Sequence, residues 1–161
     1  MATRDKNVEM VGANEGPVRV AGRAESRASV KMAEAPKRRM QESIERASQE
    51  GPGEGTEANR VFLNLENVRG LSDAAAFQVF VNDRLAGSVA LFGVTEATAT
   101  DGEHGGAGLN FVIEISQIVD ELHLGNELDA SALDVRIVPS RNVPEEANVT
   151  IGRVSVARQG N

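Results

Sequence analysis

Phe77-Gln78-Val79-Phe80-Val81-Asn82-Asp83 decides the reading of this chain. Phe77, Val79 and Val81 are all apolar, and Gln78 and Asn82 flanking them are polar. A period of two sends these sets to opposite faces of a β-strand. Asn82-Asp83-Arg84 is turn chemistry, and Leu85 to Phe92 returns as a second strand. Val149-Thr150-Ile151-Gly152-Arg153-Val154-Ser155-Val156 repeats the pattern near the C-terminus, except that its frame slips at Gly152-Arg153, as a bulge would make it do. Between and before these lie further alternating segments at 61–68, 109–115 and 133–137, the last closed by Pro139. Ser116 is placed to cap one or two helical turns carrying Ile118, Val119 and Leu122. Residues 93–107, rich in Gly, Thr and Ala, read as a loop.

Six strands with one short helix among them exclude a parallel α/β sheet, which needs a helix between successive strands. The expected fold is all-β, an antiparallel β-sandwich or closed barrel of about six to eight strands. Pro17 to Val20 and Arg27 to Met32 are short alternating pieces, expected as edge strands or an extended arm. From Pro36 to Glu50 the period changes. Met40, Ile44 and Ala47 form one narrow helical face, Pro36 suits the first turn, and Glu42 and Arg46 are spaced for an ion pair. Gly51-Pro52-Gly53-Glu54-Gly55 then stops the helix. The expected organisation is an arm over 1–35, a helix and flexible linker over 36–59, and a β-sandwich over 60–158.

Composition narrows the function. Residues 1–60 carry 11 basic and 10 acidic groups, and residues 61–161 carry 6 and 14, so the β-rich part is acidic. Nucleic acid and anionic membranes are therefore not expected partners. Aromatic residues are 3% of the chain, with five Phe and neither Trp nor Tyr, which leaves few flat rings for stacking on sugars or bases. Cysteine is absent, so thiolate metal sites and disulfides are excluded. The polar N-terminus carries neither a signal peptide nor a membrane span, and the localisation expected on that ground is cytoplasmic. No Gly-x-Ser-x-Gly elbow, His-Glu-x-x-His helix or phosphate loop is present. Acidic neighbours such as Asp120-Glu121 and Glu145-Glu146 diverge on either a helix or a strand and read as surface charge.

The motifs resemble, in order, the C-terminal domain of tyrosinases and polyphenol oxidases. Phe77 to Asp83 is similar to that domain's Lys-Phe-Asp-Val-Tyr-Val-Asn-Asp strand, with Gln78 for the acidic residue and Phe80 for Tyr. Ala86-Gly87-Ser88-Val89 matches a Gly-Ser strand. Leu109 to Leu122 matches a strand running into a short helix. Val135 to Arg141 matches a strand ending in a Val-Pro-Arg corner, and Val149 to Gly152 a Val-Thr-Ile-Gly strand. The resemblance covers residues 60–158. Val8 to Ala13 and Val18 to Met32 further resemble the segment that leaves the copper domain in bacterial members, and Leu91-Phe92-Gly93 with its Gly-rich continuation is also of the bacterial kind.

The resemblance implies a fold, a partner and a role. The partner is a tyrosinase catalytic domain in cis holding a type-3 dicopper centre. The role is to cover that centre and keep the enzyme latent, with help in folding or copper loading also implied. Such a centre needs six imidazoles, and this chain has two, His104 and His123. No catalytic, cofactor or metal residue is therefore expected in the chain itself. His104 reads as a solvated loop residue and His123 as a helix-end residue. In the family an apolar side chain plugs the active-site mouth. Phe92, with Leu91 beside it, is the candidate for that plug, and residues 33–59 are the candidate for a cleavable tether. Two other classes stay open on the residues alone. One is a stand-alone β-sandwich interaction module. The other is a metal-assisted enzyme, which would require tightly bound stoichiometric metal.

Overall fold

Nine strands form one antiparallel sheet: β1 (Val8–Ala13), β2 (Val18–Val20), β3 (Ser26–Met32), β4 (Arg60–Arg69), β5 (Ala76–Val81), β6 (Arg84–Ala90), β7 (Leu109–Glu114), β8 (Ala132–Pro139) and β9 (Val149–Gln159). Among the described residues they are accompanied by the helices α1 (Glu34–Glu50), α2 (Val94–Thr98) and α3 (Ser116–Leu124). The computed structural model describes residues 8–50, 60–72, 74–98, 108–125 and 132–159. Hydrogen bonding runs β6-β5-β8-β3-β1-β9-β4-β7, with β2 paired to the first residues of β9. The two terminal strands of this path, β6 and β7, come back to face each other. A Cβ on Gly87 of β6 would stand 3.3 Å from Ile113 Cγ2 of β7. The sheet is thus a nearly closed barrel whose last seam is closed by side-chain packing, and the expected all-β antiparallel class holds.

Inward positions fill the barrel. Val11, Val30, Leu63, Leu65, Phe77, Val79, Val135, Ile137, Ile151 and Val156 are wholly buried. With a single Phe fully inside, branched aliphatics supply the packing, each contributing about 1.5–3 kcal/mol on burial. The end where β4 starts and β9 finishes is covered by helices. α1 packs on β1 and α3 and contributes Met40, while α3 contributes Val119 and Leu122. The opposite end is closed by Leu91, Val94, Val143 and Ala147.

The expected three-part division does not follow the sheet. β3 is an interior strand, bonded to β8 from Ser26↔Ile137 to Lys31↔Ala132 and to β1 at Gly12↔Met32 and Ala13↔Lys31. β1 pairs in turn with β9. α1 therefore connects two strands of one barrel and does not join the barrel to a separate unit. A cut between residues 50 and 60 would leave β1–β3 held in the sheet on both sides, so the tether expected at 33–59 cannot release residues 60–158.

The frame slip expected at Gly152-Arg153 is present and has a twin. Leu65 and Val68 of β4 both point inward, as do Ile151 and Val154 of β9, so both strands change parity together while their pairing stays in register. Asn67, at the step in β4, takes a left-handed φ of 56°. Its side chain lies over Gly152, where a Cβ would come within 2.9 Å of Asn67 Cβ and Nδ2. The glycine of the Val-Thr-Ile-Gly strand is required by that approach. Asn14 fills the gap between β2 and β1 by accepting from Val154 N at 2.8 Å.

Candidate functional site

At the end of the barrel away from α1 and α3, β6 runs into a tight turn at Leu91-Phe92-Gly93-Val94. Val94 N donates to Leu91 O at 3.1 Å, and Gly93 has a φ of +84°. A positive φ at the third residue of a hydrogen-bonded four-residue turn is the type II requirement that glycine meets without steric cost. The turn is pinned on both flanks. Leu91 and Val94 are fully buried, and Leu91 N donates to Ala75 O at 3.0 Å. Phe92, at the corner between them, is 78% exposed. Burying a phenyl ring is worth about 1.5–3 kcal/mol, so leaving one in water on a fixed turn forgoes that gain. Of the two expected plug residues, Phe92 is presented to the outside, whereas Leu91 belongs to the core.

The 70–75 loop is bonded to both ends of the Phe92 segment. Gly70 N donates to Thr98 Oγ1 at 2.9 Å, in addition to the Leu91–Ala75 bond. Leu71, held by its own N–H to Ala147 O at 2.7 Å, is 58% exposed. This end of the barrel thus carries two outward apolar side chains on bonded backbone. Sequence reading missed Leu71, whose exposure follows from the sheet topology and has no local pattern.

Of the two histidines, one is described by the structure. His104 lies outside the described residues. His123, in the last turn of α3, has Nε2 at 3.9 Å from Glu45 Oε2 of α1. Among the described residues no group of three or more His, Asp or Glu is arranged to hold a metal ion. A shallow groove of about 300 Å³ opens beside the seam where β6 meets α3, and it is bridged by Arg84 Nη1 to Glu121 Oε1 at 2.8 Å. No described helix is long and apolar enough to cross a membrane.

Polar chemistry concentrates at the helix-covered end. Arg158 is 7% exposed, and its Nε donates to Glu9 Oε1 at 3.0 Å. Arg39 of α1 donates from Nε to Glu9 Oε2 at 3.0 Å. The Arg39 hydrogen bond, with Arg158 adding to it, holds the Glu9 carboxyl below its usual range. Arg158 Nη1 is buried without a partner. One carboxylate between two guanidinium groups clamps α1 to β1 and β9. Arg158 is buried in this cluster, while the Arg39 side chain is half exposed.

Comparison with known proteins agrees with the fold and the motifs. Residues 7–159 match DUF7868, a domain of unknown function. A tyrosinase of Hahella sp. (strain CCB-MM4) is 27% identical over 111 residues, 63% of this chain and 24% of that protein. Among solved structures, latent aurone synthase, a polyphenol oxidase, superposes with a TM-score of 0.55 at 14% identity, over 88% of this chain and 26% of that one. Latent apple tyrosinase gives 0.50 at 15% identity, over 89% and 27%. The chain spans about a quarter of the length of each of these relatives. It belongs to the DUF7868 family, and in sequence and fold it is similar to the C-terminal domain of tyrosinases and polyphenol oxidases.

Proposed function

We propose that this chain is the non-catalytic C-terminal domain of a type-3 copper tyrosinase or polyphenol oxidase, and that it covers the dicopper site and holds the enzyme latent. The observation that carries the reading is Phe92: a phenyl ring fixed in water by two buried neighbours and a backbone bond, on a domain similar to the corresponding part of latent oxidases. The ring is a close match in size and polarity to the aromatic part of a phenol. Seated at the mouth of the catalytic site, it excludes substrate by occupying the same space. A plug held in cis acts at millimolar effective concentration, so a weak contact suffices. The copper chemistry belongs to the partner. Two histidines cannot supply six ligands, so the residues of this chain do not fit a dicopper centre.

The barrel topology moves the tether. Because β1–β3 are part of the sheet, release by cutting requires a site ahead of Val8. The test is Phe92→Ala in the polypeptide that joins this chain to its catalytic portion, assayed for phenol oxidation before and after cutting ahead of Val8. The expected result is a rise of about tenfold or more in uncut activity, as loss of one central aromatic contact gives, with cut activity unchanged. Uncut activity equal to that of the parent would remove Phe92 from the role. Equal activity of the parent before and after the cut would remove the latency reading itself.

A further inference from the structure

We propose that the seam between β6 and β7 is a binding slot for an extended, basic segment of another protein, which enters as an added strand. A gradient of burial across β4 and β7 points to it. Register sets Ile113 beside Leu63, Phe111 beside Leu65 and Leu109 beside Val68. The three β4 residues are wholly buried. Their β7 partners, on the same inward face, are each half-buried. The core is therefore incompletely covered along the outer edge of β7. Across the seam β6 offers little cover, because the residue that meets Ile113 there is Gly87. Neither edge has a ladder partner across the seam among the described strands. Ile115 N donates to Val61 O at 2.8 Å. Alternation then turns the N–H and C=O of Val112 and Glu114 away from β4 and into the seam. Leu91 N donates to Ala75 O, so by the same rule Ser88 and Ala90 of β6 turn theirs toward β7. All four of these residues are exposed, so both edges are reached from outside.

The slot selects its occupant. β6 and β7 wall it on both sides, so a folded partner cannot bring a sheet edge into it, and a second copy of this chain cannot either. An isolated extended segment has both flanks free and fits. It bonds through its main chain to Val112 and Glu114, antiparallel to β7, and moves the Ile113 side chain off Gly87. Main-chain bonds of this kind supply affinity, and side chains at alternate positions supply specificity. Beside Glu114 the seam opens into the groove of about 300 Å³. Leu85, Ala86 and Ile118 give the groove apolar walls, and Leu85 is 55% exposed, so an apolar side chain of the segment has surface to bury. The charged lining is two carboxylates, Glu114 and Glu121, against one guanidinium, Arg84. Arg84 Nη1 is bonded to Glu121, whereas Glu114 accepts from the Ser116 hydroxyl at 2.9 Å. One carboxylate is thus in excess, and it favours lysine or arginine on the incoming segment.

The test uses this chain and a short fluorescent peptide of alternating valine and lysine, with binding read by anisotropy. Two controls accompany it: a valine–glutamate peptide of equal length, and the valine–lysine peptide methylated on its backbone nitrogens. Val112→Pro removes an N–H that faces the seam and bonds no strand of the barrel, a position of the kind where strands accept proline. Glu114→Lys reverses the surplus charge, and Glu146→Lys makes the same change at an exposed site before β9. The lysine peptide should bind the parent about tenfold or more tighter than either control. Val112→Pro and Glu114→Lys should each weaken it about tenfold or more, and Glu146→Lys should leave it unchanged. Thermal midpoints equal to the parent's check that the variants fold; if Val112→Pro lowers the midpoint, the methylated peptide decides on backbone pairing in its place. Equal binding of the methylated and unmethylated peptides overturns strand addition. Equal weakening by Glu114→Lys and Glu146→Lys makes the attraction a property of the whole acidic surface and overturns the slot. Absence of binding at about millimolar peptide overturns the proposal outright. With no catalytic portion in the assay, none of these outcomes bears on Phe92.

Discussion

The two flanks of this barrel are built by the same alternation and differ near the chain's first strand, although both carry ion pairs, Arg153 with Glu66 on one and Arg136 with Glu25 on the other. On β3 and β8 the outward residues include Arg27, Asp134 and Arg136, which form ion pairs. Arg27 pairs with Glu25 at 2.8 Å and with Asp134 at 3.3 Å. Arg136 pairs with Glu25 at 2.9 Å and lies 4.7 Å over the Phe80 ring. On β1, β9, β4 and β7 the outward residues near the chain entry are Val8, Met10, Phe62 and Val112. The comparison teaches that in a barrel the outward half of the pattern holds the functional information.

The joint between the flanks is the most sensitive place to disturb. β1 and β3 share two registered pairs, Gly12↔Met32 and Ala13↔Lys31. A Cβ on Gly12 would stand 2.2 Å from Lys31 O and 2.8 Å from Met32 Cα. Both obstacles are backbone, so the strands themselves must part. Gly12→Ala is expected to cost about 3 kcal/mol or more, the largest loss of stability among these changes, read as a lower denaturant midpoint. A midpoint equal to the parent's would mean that the flanks are not joined through this contact.

Next in size is the clamp at the helix-covered end. Glu9→Gln leaves Arg158 buried with a weakened partner, and about 1–3 kcal/mol of destabilisation is expected. The same group sets an acid dependence. The folded Glu9 carboxyl is lowered by the Arg39 hydrogen bond and then by Arg158, from an ordinary value of 4.5. Its contribution is therefore complete above the unfolded value and is lost as pH falls through the lower folded one. Stability should decline on acidification below about pH 4.5, less steeply in Glu9→Gln. The decline persists in the variant because Glu66 is also lowered: burial opposes the shift, but the Arg153 and Ser155 hydrogen bonds outweigh it. An acid limb of identical steepness in parent and variant would show that Glu9 does not couple to folding.

Most of the barrel wall was legible because burial on one face enforces a period of two. The expected segments at 61–68, 76–82, 85–92, 109–115, 133–137 and 149–156 correspond to β4 to β9 within a few residues at each end. The short helix expected after Ser116 is α3, but Ser116 does not cap it: Ile115 holds the N-cap position without a side-chain bond, and the Ser116 hydroxyl accepts from Val61 N at 3.0 Å and donates to Glu114 at 2.9 Å. β1 was not legible as a strand from its pattern, because the pairing with β9 shifts between Met10 and Gly12 and the shift breaks the alternation. β3 reads as an edge because a barrel strand with one wet face has the same pattern at an edge or in the interior; only the pairing partner differs, and that is a long-range fact. α2 is five residues long, too short for helical periodicity to show. Phe92 was legible as a candidate through Gly93, whose positive φ the turn requires. Its exposure was not, since a Phe that ends a strand and one that leaves it have the same local sequence.

The smallest effect should come from the charged flank. Glu25 is held below its ordinary range by hydrogen bonds from Arg27 and then Arg136, which by geometry alone resembles the clamp at Glu9. The surroundings differ. Arg27 keeps Asp134 when Glu25 is neutralised, and Arg136 keeps Asp83 at 3.5 Å together with the Phe80 ring. Each cation has a second partner, and the Arg27 side chain is 59% exposed, where water and salt screen the interaction. Glu25→Gln is therefore expected to leave the thermal midpoint unchanged within error at physiological salt, and Glu9→Gln to lower it under the same conditions. Equal losses from the two variants would mean that the ion pairs of the charged flank stabilise the fold as much as the clamp does. The contrast between the two flanks would then have to be drawn from their exposed apolar residues alone.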